Sequence, residues 1–128
     1  SLVVELVPQG TLAERIRAGG FGLGGILTPT GLGTIVENGK SKIQIGGREY
    51  LIESAIKADF ALLKAKKADW YGNLTFAYTA RNFNTFMAFA GDCTIAEIDE
   101  LVPIGGLNPE DVVVPHAVVH FLVRRSRS

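Results

Sequence analysis

Cysteine is nearly absent from this 128-residue chain: Cys93 stands alone. That excludes an internal disulfide framework and any cysteine-rich zinc site, and it favours a reducing compartment. Histidine is almost as scarce, with only His116 and His120. Pro115 and the surrounding valines predict a strand there, on which four residues span about 13 Å, so the two rings cannot share one ion. They read as surface or interface histidines. An excess of either charge is also missing, since 13 Lys and Arg balance 13 Asp and Glu. No overall field draws the chain to nucleic acid or to an acidic lipid surface. No apolar run approaches the roughly 20 residues of a membrane span, and the opening SLVVELVPQG has no basic region ahead of its short apolar run. The chain reads as soluble, with any targeting segment removed or never present.

Several motifs are missing too. No Gly-Lys-Ser/Thr occurs, which excludes a Walker loop, and no Gly-x-Ser-x-Gly occurs, which removes the nucleophile elbow of serine hydrolases. Seven of the 15 glycines crowd into GGFGLGGILTPTGLG, Gly19 to Gly33. The Gly-x-Gly inside it follows a predicted helix instead of opening one, so it does not fit a dinucleotide fingerprint. It predicts a structured loop that packs on itself, a partner or a substrate, with phosphate cradling as the alternative. Cys93 has no neighbouring histidine and reads as a buried, inert thiol. Lys64, Lys66 and Lys67 beside Trp70 and Tyr71 read as a solvated strand end, with a nucleic-acid patch as the alternative. Glu97, Asp99 and Glu100 read as solvent-facing.

What is present, 47% hydrophobic residues and 20% charged, marks one well-buried domain over residues 1–128 with some surface covered by another subunit. LVVELV, Leu2 to Val7, predicts a buried strand stopped by Pro8. TLAERIR predicts a short helix to about Ala18, opened by a reciprocal capping pair of Thr11 and Glu14. Strand, turn and helix begin an α/β unit, which puts Pro8, Gln9 and Gly10 at a strand's carboxyl end, where ligands bind open sheets. KIQIGGREYLIE alternates around Gly46-Gly47 and predicts a β-hairpin with a primed turn. DFALLKAKKADW and CTIAEIDELV predict strands, DWYGN a turn, and Asn108-Pro109-Glu110 a second turn. The two valine runs split by Pro115 predict an edge strand that ends in a basic tail.

ARNFNTFMAFAG, Ala80 to Gly91, repeats Phe83, Phe86, Met87 and Ala90 at helical spacing, so a buried helix should start near Asn84. Asn82 or Asn84 suits its N-cap, and Arg81 suits a carboxylate or carbonyl nearby. An anion site at that helix end is the alternative. The whole pattern describes an α/β fold, an open mixed sheet with flanking helices.

Five ordered segments, VPQGTLAERIRAGG, TPTGLGT, REYLIE, ADFALLKAKKADWYGNL and ARNFN, resemble the α half of family I CoA-transferases of the 3-oxoacid type. The resemblance runs from Glu5 to about Val123 and lacks roughly the first two-fifths of an α subunit, including its Gly-Gly-Phe loop. It implies a CoA-transferase-like partial domain of a heteromeric enzyme, completed by a β subunit. The implied reaction moves CoA from succinyl-CoA or acetyl-CoA to a 3-oxoacid such as acetoacetate, through a glutamyl-CoA thioester on that β subunit. CoA is then a substrate, and no cofactor or metal is implied. Gln9 is the implied oxyanion-stabilising residue, with Gly10, Thr28, Thr30, Gly31 and Asn82 implied to contact substrate or CoA. Glu37, within VENG, matches the α half's own segment and is not the implied nucleophile. The implied location is a bacterial cytoplasm or the mitochondrial matrix, away from membrane and nucleic acid. A non-catalytic binding or assembly domain on the same fold is the rival reading. An isomerase or sugar-phosphate enzyme finds no acid/base pair in the sequence.

Overall fold

The computed structural model describes residues 1–126. They divide into two compact units, Ser1–Ile56 and a second that begins at Lys57.

In the first unit, helix α1 spans Gln9–Gly20 and a three-stranded antiparallel sheet comprises β1 (Gly25–Thr28), β2 (Lys42–Ile45) and β3 (Arg48–Ser54), in the order β1-β3-β2. The hairpin between β2 and β3 closes on Gly46 (φ 58°) and Gly47 (φ 75°), the left-handed pair that a primed turn requires. Its predicted turn is therefore present. Gly25 serves another purpose: a Cβ there would strike the carbonyl oxygen of Glu53, so only glycine lets β1 approach β3 in this register. α1 packs on β1 and β3, and Ala18 and Leu51 are fully buried. Ile43, Ile45 and Ile52, on the opposite sheet face, stay exposed.

Two expectations for this unit change. Leu2 to Val7 form no strand, and Leu2 and Val3 are about nine-tenths exposed, at 89% and 91%. A strand needs a neighbour for its N–H and C=O groups, and no described residue pairs with this run. The glycine-rich stretch is not all loop, because α1 continues to Gly20 and β1 begins at Gly25.

The second unit carries the open mixed sheet. β4 (Ala58–Asp69), β5 (Leu74–Thr75), β6 (Gly91–Val102) and β7 (Phe121–Arg124) stand in the order β5-β4-β6-β7. β4, β6 and β7 run parallel, β5 antiparallel, and α2 (Arg81–Ala90) makes the crossover from β4 to β6. Alternate residues of β4 and β6 point to one face, where Ala61, Leu63, Ala65, Ala96 and Ile98 form a core with Ala88, flanked by Met87 and Phe89 of α2. β7 is an edge strand, but it begins at Phe121, after the two valine runs expected to form it; those hold the bridge Leu74↔Val114 and the 3₁₀ turn His116–Val118. The charged ends pair across the strands: Lys64 with Glu97 (4.0 Å), Lys66 with Asp99 (3.6 Å) and Lys67 with Glu100 (3.0 Å).

The turn at DWYGN is organised by one carboxylate. Asp69 Oδ1 accepts from the N–H groups of Tyr71 (3.0 Å), Gly72 (3.0 Å) and Asn73 (2.9 Å), and Oδ2 from the Asn73 amide (2.8 Å). Burial pushes its pKa up, but these donors outweigh burial and hold it below the ordinary aspartate range. The histidines do not lie on one strand: His116 opens a 3₁₀ turn (His116–Val118) and His120 precedes β7. His120 Nδ1 accepts from the Thr94 N–H (2.9 Å), whereas His116 Nδ1 lies 3.2 Å from Asn73 Oδ1. Both residues are exposed, and Cys93 is half-buried instead of buried.

Candidate active site

α1 starts two residues before Thr11, so the Thr11–Glu14 capping pair does not form. The N-cap is Pro8, which has no side-chain donor or acceptor, and no acidic residue occupies the first turn. The first helical hydrogen bond runs from the Leu12 N–H to the Pro8 carbonyl at 2.9 Å. The amino end of α1 is thus uncapped, with its N–H groups and the positive end of the helix dipole unanswered. Gln9 is the first helical residue. It is exposed, and its side-chain amide bonds to no described residue.

Beside this end lies an open cleft of about 480 Å³ between α1 and β1. Gly10 and Thr11 border it from the helix and Thr28 and Thr30 from the strand end, while Ile26 and Leu27 supply an apolar wall. Glu14 and Arg17 also border it, paired with each other: Arg17 Nε and Nη2 donate to Glu14 Oε2 at 2.9 and 2.7 Å. Thr28 Oγ1 accepts from the Thr30 N–H at 3.1 Å, shaping the loop after β1. Gly10, Thr28 and Thr30 are therefore brought together as candidate site residues. Gln9 adjoins them in the chain without forming the cleft wall. Gly31 (φ 98°) turns the loop, where a Cβ would meet Val36 Cγ1 at 2.7 Å, and it does not line the cleft.

The scaffold under the cleft rests on charges that the sequence reading missed. Glu53, 2% exposed, accepts from Lys40 Nζ at 2.6 Å and lies 3.8 Å from Arg15 Nη1. Arg15 Nε donates to the Ser54 carbonyl at 2.8 Å. One buried carboxylate thus ties β3 to α1 and to the loop that carries Lys40. Its sequence signal was its place two residues from Leu51, on the buried face of a two-residue repeat.

Glu37 is engaged as well. Its Oε2 accepts from the Gly33 N–H at 2.6 Å and sits 3.0 Å from Lys42 Nζ. The Gly33 hydrogen bond, then Lys42, holds its carboxyl below the ordinary glutamate range. A carboxylate fastened in this way closes a loop.

Asn82 lies in the second unit, exposed on α2. Neither it nor Asn84 caps that helix, whose N-cap is Ala80 and which begins at Arg81, three residues ahead of the expected start near Asn84. Asn84 instead joins the helix to the sheet: its Nδ2 donates to the Ala80 carbonyl (2.8 Å), and its Oδ1 accepts from the Lys64 N–H (3.1 Å). Arg81 is exposed and forms no ion pair among the described residues. With Lys67, Thr75 and Asn108 it borders a shallow pocket of about 270 Å³. Among the described residues, no cluster of three His, Cys, Asp or Glu is placed to hold a metal ion, and no helix is long and apolar enough to cross a membrane.

A family model for coenzyme A transferases matches residues 1–125. The chain belongs to the coenzyme A transferase family. It is 52% identical over 120 residues to the alpha chain of acetate CoA-transferase from Escherichia coli (strain K12), covering 94% of this chain and 54% of that one. It is 50% identical over 123 residues to the alpha chain of acetoacetyl-CoA:acetate/butyrate CoA transferase from Clostridium acetobutylicum, covering 96% of this chain and 56% of that one. Both relatives are alpha subunits by name, in accord with the α-half resemblance of the five segments. The chain spans about half the length of these curated relatives. Among solved structures, an acyl-CoA transferase apoenzyme from Escherichia coli O157:H7 matches with a TM-score of 0.84 at 25% identity, over 93% of this chain and 27% of that one.

Proposed function

We propose that this CoA-transferase family chain is part of an α subunit that works with a β subunit in a hetero-oligomer. The complete enzyme moves CoA from succinyl-CoA or acetyl-CoA to a 3-oxoacid such as acetoacetate. CoA enters as a substrate, and the reaction needs no further cofactor. The compartment is the cytoplasm of a bacterium or a mitochondrial matrix.

The observation that carries this reading is the state of Gln9: an uncommitted, exposed amide at the uncapped end of α1, next to a cleft bordered by Gly10, Thr28 and Thr30. In the proposed reaction a glutamate supplied by the β partner attacks the thioester carbonyl, and CoA leaves as its thiolate from an acyl-glutamyl anhydride. The thiolate then attacks the glutamyl carbonyl, freeing the first acid and leaving a glutamyl-CoA thioester. The acceptor acid reverses both steps. Each addition places negative charge on a carbonyl oxygen, and the Gln9 N–H can donate to that oxygen without losing a proton. Glu37 is left out because its carboxylate already serves Gly33 and Lys42.

The test is CoA exchange between succinyl-CoA or acetyl-CoA and acetoacetate by the complete α/β complex. Gln9→Ala should raise the barrier by about 2–4 kcal/mol, roughly thirty- to nine-hundredfold in turnover. Turnover unchanged by that substitution removes Gln9 from the site. A folded complex that exchanges no CoA supports the assembly-domain reading.

A further inference from the structure

Thr11 Oγ1 is the one buried side-chain nitrogen or oxygen among the described residues that has no hydrogen-bond partner. The residue is 4% exposed. Other threonines show how such a hydroxyl is ordinarily satisfied. In α2, Thr85 Oγ1 donates to the Arg81 carbonyl one turn back at 2.6 Å; Thr94 Oγ1 donates to the Ala88 carbonyl at 3.0 Å and Thr34 Oγ1 to the Gly31 carbonyl at 2.7 Å. Leaving a buried hydroxyl unpaired is unfavourable, so a group outside the described chain is the natural partner.

Three further facts say what that group is. Thr11 borders the cleft. It stands in the first turn of a twelve-residue helix that has neither a capping side chain nor an acidic residue there, and such an end attracts anions. A Cβ built on Gly10 would meet no atom within 4 Å, so the backbone of that turn is open to approach. The cleft's own negative side chain, Glu14, is answered by Arg17, and Ile26 and Leu27 provide an apolar wall for a short carbon chain.

We propose that the Thr11 hydroxyl, together with the first-turn N–H groups of α1, binds a carboxylate oxygen of the acid that exchanges CoA. Thr11 would then be a substrate-binding residue in addition to Gln9: Gln9 meets the charge that develops during reaction, and Thr11 meets the charge the acid carries on arrival. Oγ1 itself is shielded from solvent, so binding takes a turn of χ1 between the two staggered positions open to a helical threonine. This inference rests on the transferase reading for the identity of the acid.

The experiment compares wild type, Thr11→Ser and Thr11→Val in the complete α/β enzyme. Acetate and acetoacetate are titrated calorimetrically, and their KM and kcat are measured in the exchange assay. Thr11→Val should weaken binding and raise KM for both acids by about tenfold or more, with a smaller change in kcat. Its melting temperature should hold or rise, because a buried unpaired oxygen is gone. Thr11→Ser should stay near wild type. Equal affinities and KM values in all three proteins overturn the proposal. So does a fall in melting temperature for Thr11→Val with unchanged acid binding, the mark of a hydroxyl that serves only the helix. A wild-type enzyme that binds acetate in a Thr11-dependent way but exchanges no CoA overturns the transferase reading and upholds the Thr11 site.

Discussion

The two units are held by different forces. In the second, the apolar side chains of β4, β6 and α2 pack into one core, and Asp69 fixes the adjoining turn. In the first, Ala18 and Leu51 are the only apolar residues with no exposure. The buried Glu53 with Lys40 and Arg15, the Glu37–Lys42 pair and the glycine-dependent contacts hold the rest. A small apolar core leaves room for polar groups that are unpaired or paired only with each other. The candidate site lies in the unit built this way, on an uncapped helix end.

This contrast is open to direct attack. Glu53→Ala removes the carboxylate that Lys40 and Arg15 share and should cost about 3 kcal/mol, since it strands the largely buried Lys40 cation, whereas Arg15 keeps Glu5 (3.3 Å) and the Ser54 carbonyl (2.8 Å). Hydrogen exchange should show lost protection in β1 and β3 while the amides of β4 and β6 keep theirs. If both units lose protection equally, they do not differ as described. Ile98→Ala removes apolar volume from the second unit and should cost about 2–4 kcal/mol by urea denaturation; a loss below about 1 kcal/mol denies that core its role. The smallest effect is acid dependence in the loop closed by Glu37. Its folded pKa lies below the unfolded value. Its contribution is therefore complete above the ordinary glutamate range and is lost as pH falls through the depressed value. Amides from Gly33 to Lys42 should lose protection, measured against intrinsic exchange at each pH, across that window in wild type. Glu37→Gln should show the low protection at every pH, and a pH-dependent protection persisting in that variant would assign the effect to another group.

Elements defined by local chemistry were legible in the sequence. Gly46-Gly47 between alternating residues specified a hairpin, Asp69 to Asn73 a turn, and Asn108 a short turn in which its Oδ1 accepts from the Glu110 N–H at 3.2 Å. The two long strands were legible because they alternate small apolar with charged residues. The start of α1 was not. Thr-x-x-Glu is a valid capping signal, but Gln9 and Gly10 are already helical, which carries Thr11 inside and turns Glu14 toward Arg17. Of the residues that border the candidate cleft, the sequence pointed to Gly10, Thr28 and Thr30 alone. Glu53 finds its partners at Arg15 and Lys40, far along the chain, and no local window contains that relation. Asn84 likewise looked like a cap and proved to be a strut to Lys64 of β4.

The parallel ladder from Ala58↔Gly91 to Asp69↔Val102 also sets an order of assembly. Not one rung of it can close before the intervening stretch, α2 included, has doubled back, whereas the β2–β3 hairpin needs only two residues to reverse. The parallel core of the second unit must therefore wait longer for its first rung than the thinly cored β2–β3 hairpin, and longer than its own β4–β5 turn, where Ala68 and Leu74 pair a few residues apart.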